Sequence, residues 1–331
     1  MTDDADDELT YADTGVDIAA SESATAALID AVGDSDGDYA GLLDIGDRYL
    51  ALATDGVGTK LLVAEALGDY STVGIDCIAM NVNDLVAAGV RPVAFVDYLA
   101  IDEPDDDFAE QIGEGLAAGA ETADIELVGG ETAVMPEVVK GLDLAGACVG
   151  LADKDGLFDG AAEPGDTLVG WESSGIHSNG LTLARTATTR DHEYTDPCPF
   201  DGYETIGEAL LEPTRMYTDL LTPMRAHGVR GAAHITGGGW GNLQRLGEHR
   251  YVVDDPFDAQ PVFDLVQEQG NVSDAEMHTT FNMGTGFVAA VAADEAAADL
   301  AAATDGRVIG HVEASGDHDA GAGVSIRGLN L

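Results

Sequence analysis

Lysine is nearly absent. Of 331 residues only Lys60, Lys140 and Lys154 are lysines, and Lys and Arg together number 14 against 62 Asp and Glu, a formal charge of −48. Nucleic acid and anionic membrane are thereby excluded as partners, because both need a basic footprint to offset phosphate or headgroup charge. Cysteine is scarce too. Cys77, Cys148 and Cys198 form no Cys-x-x-Cys pair and are odd in number, which argues against a disulfide framework and for a reducing compartment. No stretch approaches the roughly 18 apolar residues of a membrane span. Met1–Thr10 is acidic, without the basic start and apolar run of a signal peptide. The expectation is a cytoplasmic protein.

What is present points to a folded core. Charged residues make up 23 % of the chain, near the average of about 25 %, so basic residues have been replaced rather than charge added. Apolar residues make up 45 % and are spread along the chain, enough to bury a core rather than remain disordered. At low salt a globule of this charge repels itself. Near 1 M salt the Debye length falls to about 3 Å, so the acidic surface reads as solubility chemistry for a salt-rich cytoplasm. No Asp-rich stretch carries the alternating ligands, central Gly and closing Glu of a calcium loop. The expected result is loss of structure and activity on dialysis into dilute buffer, followed by circular dichroism and turnover. Full retention of both would contradict the salt reading.

Strand-like runs lie at residues 49–54, 92–101, 142–151, 167–171, 231–235, 284–293 and 307–312. Helical patterns lie at 72–89, 107–123, 178–190, 208–227 and 294–303. In the first of these Ile75, Ile78, Ala79, Val82, Leu85 and Val86 form an apolar stripe, while Asn81, Asp84 and Ala88 share another face. Strands alternate with helices on both sides of the turn-rich stretch 155–166, which predicts an α/β or α+β class with two domains, 1–160 and 161–331.

Five clusters, four of them Gly-rich, carry the chemistry. Thr54-Asp-Gly-Val-Gly-Thr-Lys60 follows a strand. The amides of Gly56, Val57, Gly58 and Thr59 are candidates for an anion, Lys60 offers charge, and Asp55 a hard oxygen for magnesium. The spacing is not that of a Walker A loop, and a lone Gly-x-Gly also suits an ordinary turn. Asn81-Val-Asn-Asp84 adds Asn83 and Asp84 on a helix. Leu127-Val-Gly-Gly-Glu-Thr132 is an apolar run that breaks at Gly129-Gly130, followed by Glu131 and Thr132. Together the clusters offer three carboxylates and several backbone amides, the components of a magnesium-nucleotide site. In the second half, Ser173-Ser-Gly-Ile-His-Ser-Asn-Gly180 joins a strand to a helix, where hydroxyls and amides meet anions. His234-Ile-Thr-Gly-Gly-Gly-Trp240 again leads a strand into glycines, and three in a row suggest close approach to a ligand. Neither His177 nor His234 makes a zinc pattern.

These motifs, with Tyr11-Ala-Asp-Thr-Gly-Val-Asp17, Glu212-Pro-Thr-Arg215 and Phe281-Asn-Met-Gly284, occur in the order seen in phosphoribosylformylglycinamidine cyclo-ligases, also called AIR synthetases. The chain resembles that family over nearly its whole length. It departs from it at Ala12, where the family often has lysine, and in the short loop Asp36–Gly41. The resemblance implies ATP-dependent closure of formylglycinamidine ribonucleotide to aminoimidazole ribonucleotide, with ADP and phosphate released through a phosphorylated formamide. It also implies an N-terminal α/β domain that forms a homodimer and a C-terminal α/β domain. Among related ATP-using enzymes, a selenophosphate synthetase would carry a reactive cysteine near its N-terminus and a hydrogenase-maturation protein a cysteine tail. Thiamine-phosphate kinase has a more acidic first motif. A non-catalytic acidic binding protein would need neither Lys60 nor the ordered turns.

On this resemblance the expected site has Asp55, Asp84 and Glu131 holding Mg2+ on ATP. Gly56, Val57, Gly58, Thr59, Lys60, Asn83, Gly129, Gly130 and Thr132 would line the nucleotide. Ser174, Gly175, His177, Ser178 and Asn179 would meet the formyl group or substrate phosphate, and Thr236, Gly237, Gly238 and Gly239 would cradle the ribose phosphate. Lys60, Asp84 and His177 are the expected catalytic residues.

Overall fold

A computed structural model describes residues 8–16, 18–32, 39–158, 160–315 and 322–331. Residues 1–7, Asp17 and residues 36–38 of the short loop lie outside the described residues.

Among the described residues the first half forms five strands: β1 (Gly41–Asp44), β2 (Arg48–Gly56), β3 (Arg91–Ile101), β4 (Glu126–Val134) and β5 (Leu142–Asp153). They assemble in the order β1-β2-β5-β3-β4, antiparallel except for the parallel pair β3/β4. Alternation along β5 shows the logic of the sheet. Leu144, Gly146, Cys148, Gly150 and Ala152 are buried on one face, while Ala145, Ala147, Val149 and Leu151 are only half-buried on the other. The buried face carries the helix Val73–Ala87, which packs in turn on the helix Asp106–Ala123. The second helix starts where the Asp105 carboxylate accepts the amides of Asp107 and Phe108, the capping expected of an aspartate before an apolar-periodic run.

The second half forms β6 (Thr167–Glu172), β7 (Val229–His234), β8 (Arg250–Val253), β9 (Thr285–Val291), β10 (Arg307–Glu313), β11 (Gly323–Ile326) and β12 (Leu329–Asn330). Their order is β12-β11-β8-β10-β6-β9-β7, with β8 and β11 the parallel pair. Every residue of β9 is buried, as its unbroken apolar sequence suggests. The fold is mixed α and β in two sheets. One buried apolar cluster runs from the first sheet through Ile78 and Leu85 into Leu181, Ile206, Phe263 and Phe281, so the halves share a core.

Three segments depart from the sequence expectation. Leu127–Thr132 does not break at its glycines: β4 runs through them as an edge strand, because pairing with β3 outweighs the weak strand preference of glycine. The helical pattern at 208–227 is interrupted. Ile206–Leu210 and Leu221–Ala226 are helical, but Pro213 has no amide and disfavours helix at Glu212, so 212–217 is an irregular strap. The pattern at 178–190 becomes helix only at Leu181, because His177 and Gly180 both take positive φ, 66° and 71°.

Candidate functional site

The strap 212–217 crosses the seam between the halves, and first-half side chains fix its backbone. Lys60 Nζ donates to the Glu212 carbonyl at 2.6 Å. Asp76 Oδ1 accepts the Thr214 amide at 2.8 Å and its hydroxyl at 2.6 Å. Asn83 donates to the Arg215 carbonyl at 2.9 Å and accepts the Tyr217 amide at 2.9 Å. Behind them Lys60 and Asp76 form an ion pair of 2.7 Å in which both side chains are 0 % exposed. Burial pulls the Lys60 ammonium below its ordinary range, with the Asp76 charge opposing. This corrects the expectation for Lys60. Its charge is spent inside the protein on Asp76 and a carbonyl and is not presented to a nucleotide. Asn83, also fully buried, is likewise a seam clamp rather than part of a nucleotide lining.

Asp55 and Asp84 do come together. Asp55 is the penultimate residue of β2, where its Oδ1 accepts the Gly56 amide at 2.7 Å. Asp84, on the helix Val73–Ala87, pairs through Oδ1 with His234 Nδ1 at 3.1 Å, at the end of β7. Burial, then the charge of Asp84, push the Asp55 carboxyl up to about 6. A carboxylate whose ionised form is disfavoured by burial and by a neighbouring carboxylate is a donor that a divalent cation relieves, so the pair fits magnesium. Cys77, close enough for Asp55 and Asp97 to act on it, is no competing ligand, since burial pushes its thiol up and away from thiolate.

Glu131 does not join this pair. Register places Asp55 opposite Gly146 of β5, Gly146 opposite Asp97 of β3, and Asp97 opposite Gly130 of β4. A side chain added at Gly130 would lie 2.2 Å from Asp97 Oδ1, so Gly130 and Asp97 share the helix-covered face. Glu131, one residue on, therefore points to the opposite face with its partner Tyr98. The third carboxylate in the row is instead Asp97, about 10 Å from Asp55 at two strand spacings. Burial raises its carboxyl above the usual range. Sequence reasoning missed Asp97, although a carboxylate amid Phe95-Val-Asp-Tyr-Leu99 at the parity of the buried Phe95 and Leu99 was a readable signal. Among the described residues no group of three or more His, Cys, Asp or Glu side chains is arranged to hold a metal ion.

The Gly-rich turns meet around the pair. Ser178 donates to the Val57 carbonyl at 2.7 Å, Thr59 and Thr182 hydroxyls lie 2.9 Å apart, and Asn179 Oδ1 accepts the Gly237 amide at 3.0 Å. The loops containing Gly56–Thr59, Gly175–Asn179 and Thr236–Gly239 are thus linked edge to edge. Gly239, at φ +52°, approaches the His278 carbonyl so closely that a Cβ would stand 2.2 Å from it. Ser174 is tied to the strap through the Pro213 carbonyl at 2.6 Å. The amides of Gly129, Gly130 and Thr132 belong to β4, whose residues from Glu126 to Thr132 are exposed.

His177 sits in the seam, but as an acceptor. Its Nε2 takes the amides of Ser174 at 3.2 Å and Arg215 at 3.4 Å. Burial above all holds its imidazole well below the ordinary histidine range. A neutral ring whose free lone pair is already engaged by two amides is a pin between loop and strap. Its Nδ1 is buried without a hydrogen-bond partner among the described residues. Two site features escaped the sequence reading besides Asp97: the Asp84–His234 contact, between residues 150 apart, and the Lys60–Asp76 pair, which joins two successive helical segments.

No described helix is long and apolar enough to cross a membrane. Residues 37–152 match the family model described as AIR synthase related protein, N-terminal domain, and residues 163–322 the model of its C-terminal domain. The chain is 47 % identical over 320 residues to the phosphoribosylformylglycinamidine cyclo-ligase of Methanosarcina acetivorans, covering 93 % of this chain and 96 % of that protein. It is 47 % identical over 308 residues to the enzyme of the same name from Pyrococcus horikoshii, covering 87 % and 89 %. Among solved structures, AaThiL complexed with AMPPCP and TMP superposes with a TM-score of 0.68 at 19 % identity, covering 93 % of each chain, which shows a shared fold. Two matched domains and near-full-length identity place the chain in the phosphoribosylformylglycinamidine cyclo-ligase family, as a ligase that forms a carbon–nitrogen bond in a ring closure of purine biosynthesis.

Proposed function

We propose that the seam binds ATP with magnesium at Asp55 and Asp84 and closes the imidazole ring of formylglycinamidine ribonucleotide by phosphorylating its formyl oxygen. The observation that carries this reading is the carboxylate pair, with Asp55 raised to about 6 by burial and by Asp84. Magnesium needs only one or two protein carboxylates when phosphate oxygens supply the rest. Bound there, it would neutralise charge on the transferring phosphoryl group. AaThiL, complexed with AMPPCP, an ATP analogue, gives the fold a precedent for the nucleotide.

The chemistry answers a poor electrophile. A formamide oxygen is a bad leaving group. Its attack on the γ-phosphorus breaks the bond to ADP and leaves a phosphorylated imidate. The amidine nitrogen then attacks that carbon, the new C–N bond closes the ring, and the oxygen departs on inorganic phosphate. The residues' share is positioning. The Gly56–Thr59 and Thr236–Gly239 turns would flank the phosphoryl groups, with the Gly56 and Gly237 amides held by Asp55 and Asn179, and the strap and His177 hold the Ser174–Asn179 loop against them. Incubation with ATP should release ADP only when formylglycinamidine ribonucleotide is present. Equal ADP release without it would sink the ligase reading.

We assign the domains to residues 1–160 and 161–331, and the protein to a homodimer in a salt-rich cytoplasm. The sheet face away from the helices supports the dimer. It exposes Leu52, Val96 and Tyr98 and includes Glu131. Sedimentation in molar salt reads the assembly, and a monomer there would contradict it.

A further inference from the structure

We infer that His234 is a positioning residue of the cation site, holding the Asp84 carboxylate through a donor at Nδ1. The inference rests on the reading that Asp55 and Asp84 take a divalent cation.

The proton's place follows from the neighbours. Asn83 Oδ1 accepts the Tyr217 amide and its Nδ2 donates to the Arg215 carbonyl, so the orientation of its side-chain amide is fixed from both ends. That NH2 group lies 3.3 Å from His234 Nε2. A donor facing Nε2 requires a lone pair there, so in the neutral ring the hydrogen sits on Nδ1. Nδ1–H then donates to Asp84 Oδ1 at 3.1 Å. The ring has no other freedom. It is 0 % exposed and packs against the Tyr217 and Phe287 rings, each with its centroid 6.3 Å away.

Asp84 is the pair's less fixed member, since it reaches the site from a helix and its side chain is 21 % exposed. Among the described residues its Oδ2 receives no hydrogen bond, while Oδ1 is held by His234. One oxygen anchored and one free is how an outer partner orients a carboxylate ligand and limits its rotamers. The anchoring chain runs Tyr217 amide, Asn83, His234, Asp84. The strap that clamps the seam therefore also sets the cation ligand.

The test is binding of Mn2+ with AMPPCP, read by the paramagnetic resonance of free Mn2+ in molar KCl, where surface carboxylates are screened. Asp84→Asn defines binding outside the site. His234→Leu removes the donor and suits the aromatic surroundings. Its Mn2+ affinity should fall about 10- to 100-fold. His234→Asn, which places an amide donor near the Nδ1 position, should recover most of the loss, whereas His234→Gln, whose donor lies nearer Nε2, should not. A folded His234→Leu protein that binds Mn2+ like the wild type, while Asp84→Asn binds weakly, overturns the positioning role alone. Equal binding by wild type and Asp84→Asn overturns the cation reading, and this inference with it. If His234→Leu does not fold, the Asn and Gln variants decide, and equal affinity in those two overturns the role of Nδ1.

Discussion

Lys60→Met should destabilise the protein by about 3–5 kcal/mol, the cost of leaving a buried carboxylate without its partner. Asp76 would keep the Thr214 amide and hydroxyl on Oδ1, but Oδ2 would lose the only cation within 4 Å among the described residues. The Lys60→Met/Asp76→Asn double variant should regain much of the loss, because the asparagine carbonyl still accepts from Thr214 and no buried charge remains. Urea unfolding in molar salt measures both. The same pair of proteins separates two roles for the lysine. If Lys60 acts through the seam, the double variant turns over substrate in proportion to its folded fraction. If Lys60→Met is as stable as wild type but has lost ATP turnover, the lysine serves the nucleotide after all.

Asp84→Asn and Asp55→Asn should each lower kcat/KM on the order of 10³-fold, the several kcal/mol that charge neutralisation by a bound cation supplies, with the fold intact. Asp55→Asn should also be more stable than wild type at neutral pH in the absence of divalent cations. A carboxyl raised from 3.8 to about 6 binds its proton more tightly folded than unfolded. The stability this gives is fully present below pH 3.8 and is lost as pH rises through about 6. Asparagine stays neutral throughout. Above pH 6 the variant should therefore exceed wild type by about 3 kcal/mol, two units at 1.36 kcal/mol each. Unfolding curves at pH 4 and pH 8 check the sign: the gain should be near zero at the first and full at the second. Near-normal ADP release by both variants would contradict the cation assignment.

The site was legible where motif and local geometry coincide. Asp55 follows an apolar strand and Asp84 shares a helix face with Asn81, and both reach the seam. The turns at 56–59, 175–179 and 236–239 also converge as their sequences suggest. What failed to show was depth and parity. Nothing in Gly-Thr-Lys60 reveals that the lysine turns inward, because its partner Asp76 lies in a different helix and the fold alone joins them. Glu131 is decided by one residue of register: Gly130 opposes Asp97, so Glu131 faces the other way. The partners of the histidines were hidden for a related reason. His177 stands in a Gly/Ser/Asn turn that looks exposed, yet the strap closes over it and uses its lone pair. His234 reads as the last residue of a strand, and its partners come from a helix some 150 residues earlier.

The acidic composition bears on the same site. A chain of charge −48 opposes the approach of ATP and a ribonucleotide phosphate alike. With Lys60 buried, the charge that offsets them has to come from a bound cation and from oriented backbone amides at the seam.

The most direct measurement follows the formyl oxygen. With 18O placed in the formyl group of formylglycinamidine ribonucleotide, ring closure in unlabelled water should deliver one 18O atom into each inorganic phosphate released, detected by mass spectrometry or by the 31P shift. Phosphate without the label, with 18O appearing in water, would show that the formyl oxygen was never phosphorylated and would contradict the account of this site.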